Sequence, residues 1–334
     1  MGVRVGVVGA AGAVGSTLLQ VLAERRFPVE SLRLMATERS AGSVVRWGDR
    51  EWTVERTEPG SFSGLDICFL AVPGSRVSRE LAPLALAAGA VVIDKGSAFR
   101  LDPEVPLVVP EVNGDQVRPG PGIIASPNCT TIPLTMCLHP LRVAAGLRRV
   151  IVSTYQAASG AGTAGLDELR AGIVATMQGA QPPARVFPRP LAFDVLPQCD
   201  AFSEGGYTQE EWKLVRETRK ILGDPDLRLT ATAARVPVFV GHSESVYVET
   251  VRPLPADVAR TLLAGAPGVV VRDDPAQGEY PTARGVAGQD TVQVGRIRQD
   301  PGDPCGLLFW VVGDNLRKGA ATNAVQIAEE WIRR

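Results

Sequence analysis

The sequence predicts an α/β chain in two parts, a parallel, doubly wound sheet followed by an α+β domain. Three observations carry this. A glycine-punctuated strand, loop and helix opens the chain over residues 3–25, short apolar strands then alternate with helical periods to about residue 130, and beyond that point the apolar runs lengthen. At 334 residues the chain can bury a large core and divides naturally into two domains.

The first element, residues 3–9, reads as a buried parallel strand and runs into Gly9-Ala10-Ala11-Gly12-Ala13-Val14-Gly15 and an amphipathic helix to about Arg25. Glycines at this point let the loop turn tightly and bring backbone N–H groups and a helix N-terminus against a pyrophosphate, the Rossmann-type dinucleotide arrangement. The spacing departs by one residue from G-x-G-x-x-G, and glycines placed only for helix-to-strand packing remain the competing reading. A second strand, residues 31–36, ends where such a fold meets the adenosine ribose. There stand Thr37, Glu38, Arg39 and Ser40. An arginine with hydroxyls suits a 2′-phosphate and so points to NADP, whereas Glu38, if aimed inward, opposes it.

Residues 66–72 are the next strand, 76–88 a helix and 90–94 a further strand, taking the nucleotide domain to about residue 130. In the second domain, residues 131–313, strand-like runs at 150–154, 227–239 and 243–251 are separated by helices at 163–177 and 209–222, with loops at 179–190 and 281–288. A last helix over 315–333, opening on Gly319-Ala320-Ala321, is expected to return to the first domain and complete it.

Charge is balanced, 35 Lys and Arg against 36 Asp and Glu, so no global field draws the chain to nucleic acid or an anionic membrane, and small molecules or a second copy are the expected partners. Five cysteines without a Cys-x-x-Cys pair argue against a disulfide framework and a zinc site, and fit a reducing cytoplasm. No basic segment with an apolar h-region opens the chain, and no apolar run approaches the roughly 18 residues a membrane span requires.

Ser126-Pro127-Asn128-Cys129-Thr130-Thr131-Ile132-Pro133 places one thiol at the start of a helix whose body is residues 134–141. Pro133 has a fixed φ and suits a first turn, and the unpaired N–H groups there favour a thiolate over a thiol of ordinary pKa about 8.5. Taken alone, Cys129 reads first as a small buried hydrophobe near a helix cap, and it is the rest of the chain that turns the reading toward a nucleophile. Cys68, Cys137, Cys199 and Cys305 read as buried and unreactive. Of the two histidines, His139 lies ten residues into the helix, about 15 Å from its head, too far to assist Cys129. His242 sits between two strand-like runs, where a turn can present it.

The motifs Gly9-Ala10-Ala11-Gly12-Ala13-Val14-Gly15, Arg39-Ser40-Ala41-Gly42, Ser97-Ala98-Phe99-Arg100, Pro127-Asn128-Cys129-Thr130-Thr131, Tyr155-Gln156-Ala157-Ala158-Ser159-Gly160-Ala161-Gly162, Arg235-Val236-Pro237-Val238, Gly241-His242-Ser243 and Gly313-Asp314-Asn315-Leu316-Arg317-Lys318-Gly319-Ala320 occur in an order that, from end to end, resembles the aspartate-β-semialdehyde dehydrogenase family. The resemblance implies NADPH-dependent reduction of aspartyl phosphate to aspartate semialdehyde with release of phosphate, toward lysine, methionine and threonine. It also implies a homodimer joined through the second domain; nothing in the residues themselves calls for a metal.

Residue by residue, the resemblance makes Cys129 the nucleophile that forms a thioester, His242 the acid/base and Gln156 the residue that positions the acyl group. Arg235 takes the substrate carboxylate, Glu210 the ammonium with Glu211 as the alternative, and Lys213 and Arg100 the phosphate. Glu210 and Lys213, three apart on a helix, also read as an ordinary salt bridge. Ser159, Gly160 and Asn315 correspond to nicotinamide-side contacts, and Gly9, Ala11, Gly12, Ala13, Val14 and Gly15 to the pyrophosphate loop.

Where the family usually has Asp-Asn-Ser-Ser, this chain has Asp94-Lys95-Gly96-Ser97. The change either adds a cation to the phosphate site or points a lysine to solvent, with a more flexible loop at Gly96. N-acetyl-γ-glutamyl-phosphate reductase shares the thioester chemistry, but its cysteine sits in a Pro-Gly-Cys-Tyr context. A non-catalytic paralogue would be expected to lose Cys129 or His242, and both are present.

Overall fold

The computed structural model describes residues 2–48, 50–72 and 74–334, with Arg39 described in its backbone alone. Two compact units emerge, one containing residues up to 128 together with 320–334, the other residues 129–319.

The first unit begins with β1 (Val3–Val8), α1 (Ala13–Glu24) and β2 (Val29–Ala36), then a two-stranded hairpin of β3 (Val44–Trp47) and β4 (Arg50–Thr53). It continues through β5 (Glu55–Arg56), β6 (Ile67–Leu70), α2 (Ser75–Ala87), β7 (Val91–Asp94), α3 (Pro110–Asn113) and β8 (Gly122–Ala125). Six of these strands form one sheet in the order β5-β2-β1-β6-β7-β8, every pair parallel. Buried on both faces, β6 and β7 are almost wholly apolar rather than alternating. One face packs Val5, Val7, Leu34 and Phe69 against Leu18 and Leu22 of α1, and the other packs Val8, Leu70 and Val92 against Ala82 and Ala85 of α2.

The second unit contains α4 (Thr131–Ala145), β9 (Leu147–Gln156), α5 (Gly162–Met177), α6 (Gln209–Leu222), β10 (Arg228–Arg235), β11 (His242–Thr250), α7 (Ala256–Ala264), β12 (Val269–Val271), α8 (Ala283–Val286), β13 (Val292–Asp300) and β14 (Asp303–Gly313). Its mixed sheet runs β10-β9-β11-β14-β13-β12. Burial alternates along β9, β10 and β11, so Thr154, Gln156, Ala233, Arg235, His242 and Glu244 share the face covered by α4 and α6. The ends of α6 follow from local chemistry. Thr208 Oγ1 accepts from the Glu211 N–H while the Glu211 carboxylate accepts from the Thr208 N–H, a capping box, and Gly223 closes the helix at φ 61°.

The chain then returns to the first unit as α9 (Thr322–Ile332), which packs against α1 and places Ala324, Val325 and Ala328 in its core.

Several expectations are corrected. The helix expected from residue 315 begins at Thr322. Before it, Asp314 Oδ1 accepts from the N–H groups of Leu316 and Arg317, and residues Arg317–Ala321 wind as a π-helical turn in which Gly319 N–H reaches back to Asp314 O, 2.9 Å away. The run 227–239 is a strand only through Arg235, because Pro237 has no N–H for the ladder and residues 236–239 turn to receive Ala158 and Ser159 instead. Segment 281–288, read as a loop, contains α8. His242 is not in a turn but is the first residue of β11, and it is buried.

Candidate active site

In the first unit the glycine loop joins β1 to α1 and Gly12 stands at the helix N-cap. Gly9 is required by its φ of 85° and by a Cβ that would fall 2.6 Å from Ala71 O; a Cβ on Gly15 would collide with Gly9 O. The loop is therefore pressed as close to the sheet as backbone allows, and Ala11, Ala13 and Val14 ride on its outer side with N–H groups near the positive end of α1, as a pyrophosphate requires. At the end of β2, Thr37 caps a 3₁₀ turn (Glu38–Ser40) and is exposed. Glu38 reaches Arg56 at 3.5 Å, so its charge is directed to a cation. The Arg39 side chain lies outside the described residues.

In the second unit, Cys129 is half-buried just ahead of α4. The first turn of α4 lies over the start of β11: Gly313 pairs with His242 in the sheet, and a Cβ on Gly313 would stand 3.6 Å from Pro133 Cβ. A Cβ on Gly319 would stand 3.1 Å from Cys129 Cβ, so the π turn needs glycine to close on the cysteine.

His242 Nδ1 accepts from the Ala157 N–H at 3.0 Å, which assigns the proton of the neutral ring to Nε2, and Nε2 is buried with no hydrogen-bond partner. Burial, and then the Arg235 guanidinium, hold the imidazole well below its ordinary 6.5, against a weaker opposite pull from the Gly241 backbone, so the ring is neutral at neutral pH. Arg235 donates to Ala157 O at 2.8 Å and lies 5.8 Å from the Phe187 ring centroid. Gly160 faces both groups, since a Cβ there would fall 2.6 Å from Arg235 Nη1 and 3.2 Å from His242 Nε2. Asn315 Oδ1 accepts from Gly241 N–H at 3.0 Å while its amide donates to Ser159 Oγ at 2.8 Å, tying the segments that carry Gly160 and His242 together.

A polar chain runs from the sheet to α6. Gln156 Nε2 donates to Glu210 Oε1 at 3.2 Å, and Lys213 Nζ donates to Glu210 Oε2 at 3.1 Å and to Asp200 Oδ2 at 2.7 Å. Burial alone would lower the Lys213 pKa; Glu210 and Asp200 outweigh it and raise it, keeping the ammonium charged. The neighbouring Glu211 carboxylate accepts from the backbone N–H groups of Thr208 and Ala233, whereas Glu210 meets the side chains of Gln156 and Lys213. Asp200, held at φ 68°, belongs to this chain and escaped the sequence reading, since it lies outside any periodic element.

Cys68 and Cys199 are pushed up to about 12 by burial and Cys137 is also raised by burial, so these thiols are inert. Cys305 departs from expectation in being only half-buried. In the first unit, buried Arg100 donates to Lys95 O at 2.8 Å. Lys95 does not point to solvent: its ammonium meets Ser126 Oγ and Pro127 O, both at 3.2 Å. Gly96 is not a loosened loop either, because its N–H is held by Asp94 Oδ1 at 2.8 Å and a Cβ there would collide with Ser78 Oγ.

Among the described residues no group of three or more His, Cys, Asp or Glu is placed to hold a metal ion, and no helix is long and apolar enough to cross a membrane.

Comparison with known proteins bears on this arrangement. Residues 4–119 match the family model for the semialdehyde dehydrogenase NAD binding domain, and residues 138–318 the model for the semialdehyde dehydrogenase dimerisation domain. The aspartate-semialdehyde dehydrogenase of Aquifex aeolicus is 50% identical over 337 aligned positions, covering 100% of this chain and 99% of the relative. The chain belongs to the aspartate-semialdehyde dehydrogenase family.

Solved structures in the family share the whole architecture. The crystal structure of aspartate semialdehyde dehydrogenase II from Vibrio cholerae, complexed with ASA, superposes with TM-score 0.96 at 43% identity and covers 100% of this chain and 99% of that one. The Candida albicans enzyme, solved with NADP, superposes with TM-score 0.76 at 25% identity, covering 99% of this chain and 98% of its own. The α/β fold with an NAD-binding Rossmann domain and a dimerisation domain is thus a family property, and the N-acetyl-γ-glutamyl-phosphate reductase alternative is not favoured.

Proposed function

We propose that this chain catalyses the NADPH-dependent reductive dephosphorylation of L-aspartyl-4-phosphate to L-aspartate 4-semialdehyde, in the branch leading to lysine, methionine and threonine. Its first unit binds NADP, and its second holds substrate and pairs into a homodimer. The observation that carries the reading is the convergence on Gly160 of a neutral histidine with a buried, unpartnered Nε2–H and of a buried arginine.

The Cys129 thiolate attacks the acyl phosphate carbon, the carbonyl electrons move to oxygen, and their return breaks the carbon–oxygen bond to phosphate, which leaves as its anion, and gives a thioester. His242, which the resemblance makes the acid/base, has its Nδ1 lone pair taken by the Ala157 N–H, so in this reading its Nε2–H serves as a fixed donor to the oxyanion of that step and to the oxyanion formed when the thioester is reduced; collapse of the second releases aldehyde and thiolate. The bound nicotinamide supplies the hydride.

Arg235 offers its guanidinium fork to the substrate carboxylate, and Glu210 its carboxylate to the ammonium. Gln156, donating to Glu210, sets the acyl group, and Lys213 with Arg100 holds phosphate. Ser159, Gly160 and Asn315 shape the nicotinamide side. Thr37, Arg39 and Ser40 select NADP, supported by the engagement of Glu38 with Arg56, and Gly9, Ala11, Gly12, Ala13, Val14 and Gly15 cradle the pyrophosphate.

The test is phosphate-dependent reduction of NADP by purified protein with aspartate semialdehyde, run beside NAD and the Cys129→Ala variant. Activity that needs phosphate, prefers NADP and disappears in the variant is expected. Turnover of N-acetylglutamate semialdehyde instead would remove the substrate assignment, and equal use of NAD would remove the cofactor assignment.

A further inference from the structure

Lys95 follows β7 directly and is half-buried. Its Nζ donates to Ser126 Oγ and to the Pro127 carbonyl, each at 3.2 Å. Ser126 is itself fully buried and held twice more: its N–H donates to Asp94 O at 2.8 Å, and its hydroxyl accepts at 3.0 Å from Asn323 Nδ2, which also donates to Val108 O at 3.0 Å. The segment 126–128 is therefore tied to the end of β7 by main chain and ammonium, and to α9 by an amide.

Cys129 is the next residue. Because Pro127 has no N–H, its carbonyl is the only backbone hydrogen-bonding group through which that residue can be held. Two peptide units separate it from Cys129, so Pro127 and Cys129 Cα atoms lie at most about 7 Å apart. Holding the Pro127 carbonyl restricts the path of the chain over the two peptide units that lead to Cys129.

We propose that Lys95 is a positioning residue for Cys129, acting through the Pro127 carbonyl and the Ser126 hydroxyl rather than as a ligand of the substrate phosphate. The proposal rests on Cys129 being the nucleophile. An ammonium suits the task because its compact charge gives three donors to oxygens that lie in different directions, a pattern a methionine of similar length cannot reproduce.

The experiment compares Lys95→Met and Lys95→Arg with wild type as NADP-loaded enzyme. Three quantities are read: the rate of Cys129 alkylation by iodoacetamide at neutral pH, located by peptide mass spectrometry; kcat with the KM values for phosphate and aspartate semialdehyde; and the melting temperature. Lys95→Met is expected to slow alkylation and kcat together, on the order of tenfold, because a misplacement of a reacting atom by a fraction of an ångström to 1 Å carries such a cost. Both KM values should stay within about twofold, and Lys95→Arg, which keeps a charged donor, should recover most of the loss.

Unchanged alkylation and kcat in Lys95→Met overturn the proposal. So does a rise confined to KM for phosphate, which would make Lys95 a phosphate ligand, and so does a loss that tracks lower stability and is not restored by arginine. Full turnover by Cys129→Ala in the same assay would defeat the nucleophile reading itself, a result distinct from all of these.

Discussion

Glu244 makes a quantitative prediction possible. Two residues beyond His242 on the helix-covered face of β11, it has no solvent exposure, and both carboxylate oxygens are buried without a hydrogen-bond partner. Burial alone pushes its pKa well above the ordinary 4.5, so the folded chain carries it as the neutral acid while the unfolded chain ionises it. The sign follows from proton counting. Below about pH 4.5 both states are protonated and nothing is lost; as pH rises toward the folded-state pKa, the folded state binds one proton more than the unfolded, and stability falls by about 1.4 kcal/mol per pH unit.

Glu244→Gln removes this titration while keeping shape. Its extra buried amide costs about 1–3 kcal/mol, but that cost is constant with pH. The diagnostic is therefore the slope. The variant should gain on wild type by about 1.4 kcal/mol for each pH unit between about 4.5 and the folded-state pKa, and for 334 residues, at about 2.1 cal/mol/K of unfolding entropy each, that raises its melting temperature relative to wild type by about 2 °C per unit. Differential scanning calorimetry of both proteins across that range makes the comparison. A gap that does not change with pH would show that Glu244 is ionised in the fold, and the reasoning from burial would fail.

Two further predictions concern the groups around Gly160. Gly160→Ala puts a methyl 2.6 Å from Arg235 Nη1, so the guanidinium must abandon Ala157 O; losing a charged hydrogen bond of about 1.5–3 kcal/mol should raise KM for aspartate semialdehyde by roughly ten- to hundredfold, and an unchanged KM would separate Arg235 from the substrate. Glu168 accepts from the backbone N–H groups of Arg185, Val186 and Phe187 at 2.7, 2.8 and 3.0 Å; burial pushes its carboxyl up, but these donors together with Arg185 outweigh it and lower its pKa. Phe187 lies against Arg235, so Glu168→Ala should cost about 2–4 kcal/mol in thermal denaturation and raise the same KM, whereas a variant with wild-type stability would contradict the three-donor account.

The regular parts of the chain were legible in the sequence wherever local chemistry and periodicity agree. Residues 209–222 show this, because the capping box, the amphipathic period and Gly223 all speak for one helix with the same ends. The turn at the glycine loop and the run into α4 were equally readable as local structure, since glycines after an apolar strand favour a tight turn and a proline favours a first helical turn. The hairpin of β13 and β14 has no counterpart in the expectations, because it is held in the sheet by β11, over forty residues earlier in sequence, and local pattern does not show such pairing. His242 was expected in a turn for a related reason: its place on β11 is decided by pairing with Gly313, a contact made across the sheet.

By itself, then, the sequence determined which residue types are present and where helices and strands can start, and through its ordered motifs it identified the family. Only the tertiary structure decided protonation and partnership. The Ala157 N–H selects the His242 tautomer, the Thr208 and Ala233 N–H groups engage the Glu211 carboxylate while Gln156 meets Glu210, and the Pro127 carbonyl engages Lys95. The reason is physical: a side chain's charge and its free hydrogen-bonding atoms are set by desolvation and by donors brought from distant parts of the chain, and neither quantity is a property of the residue's neighbours in sequence.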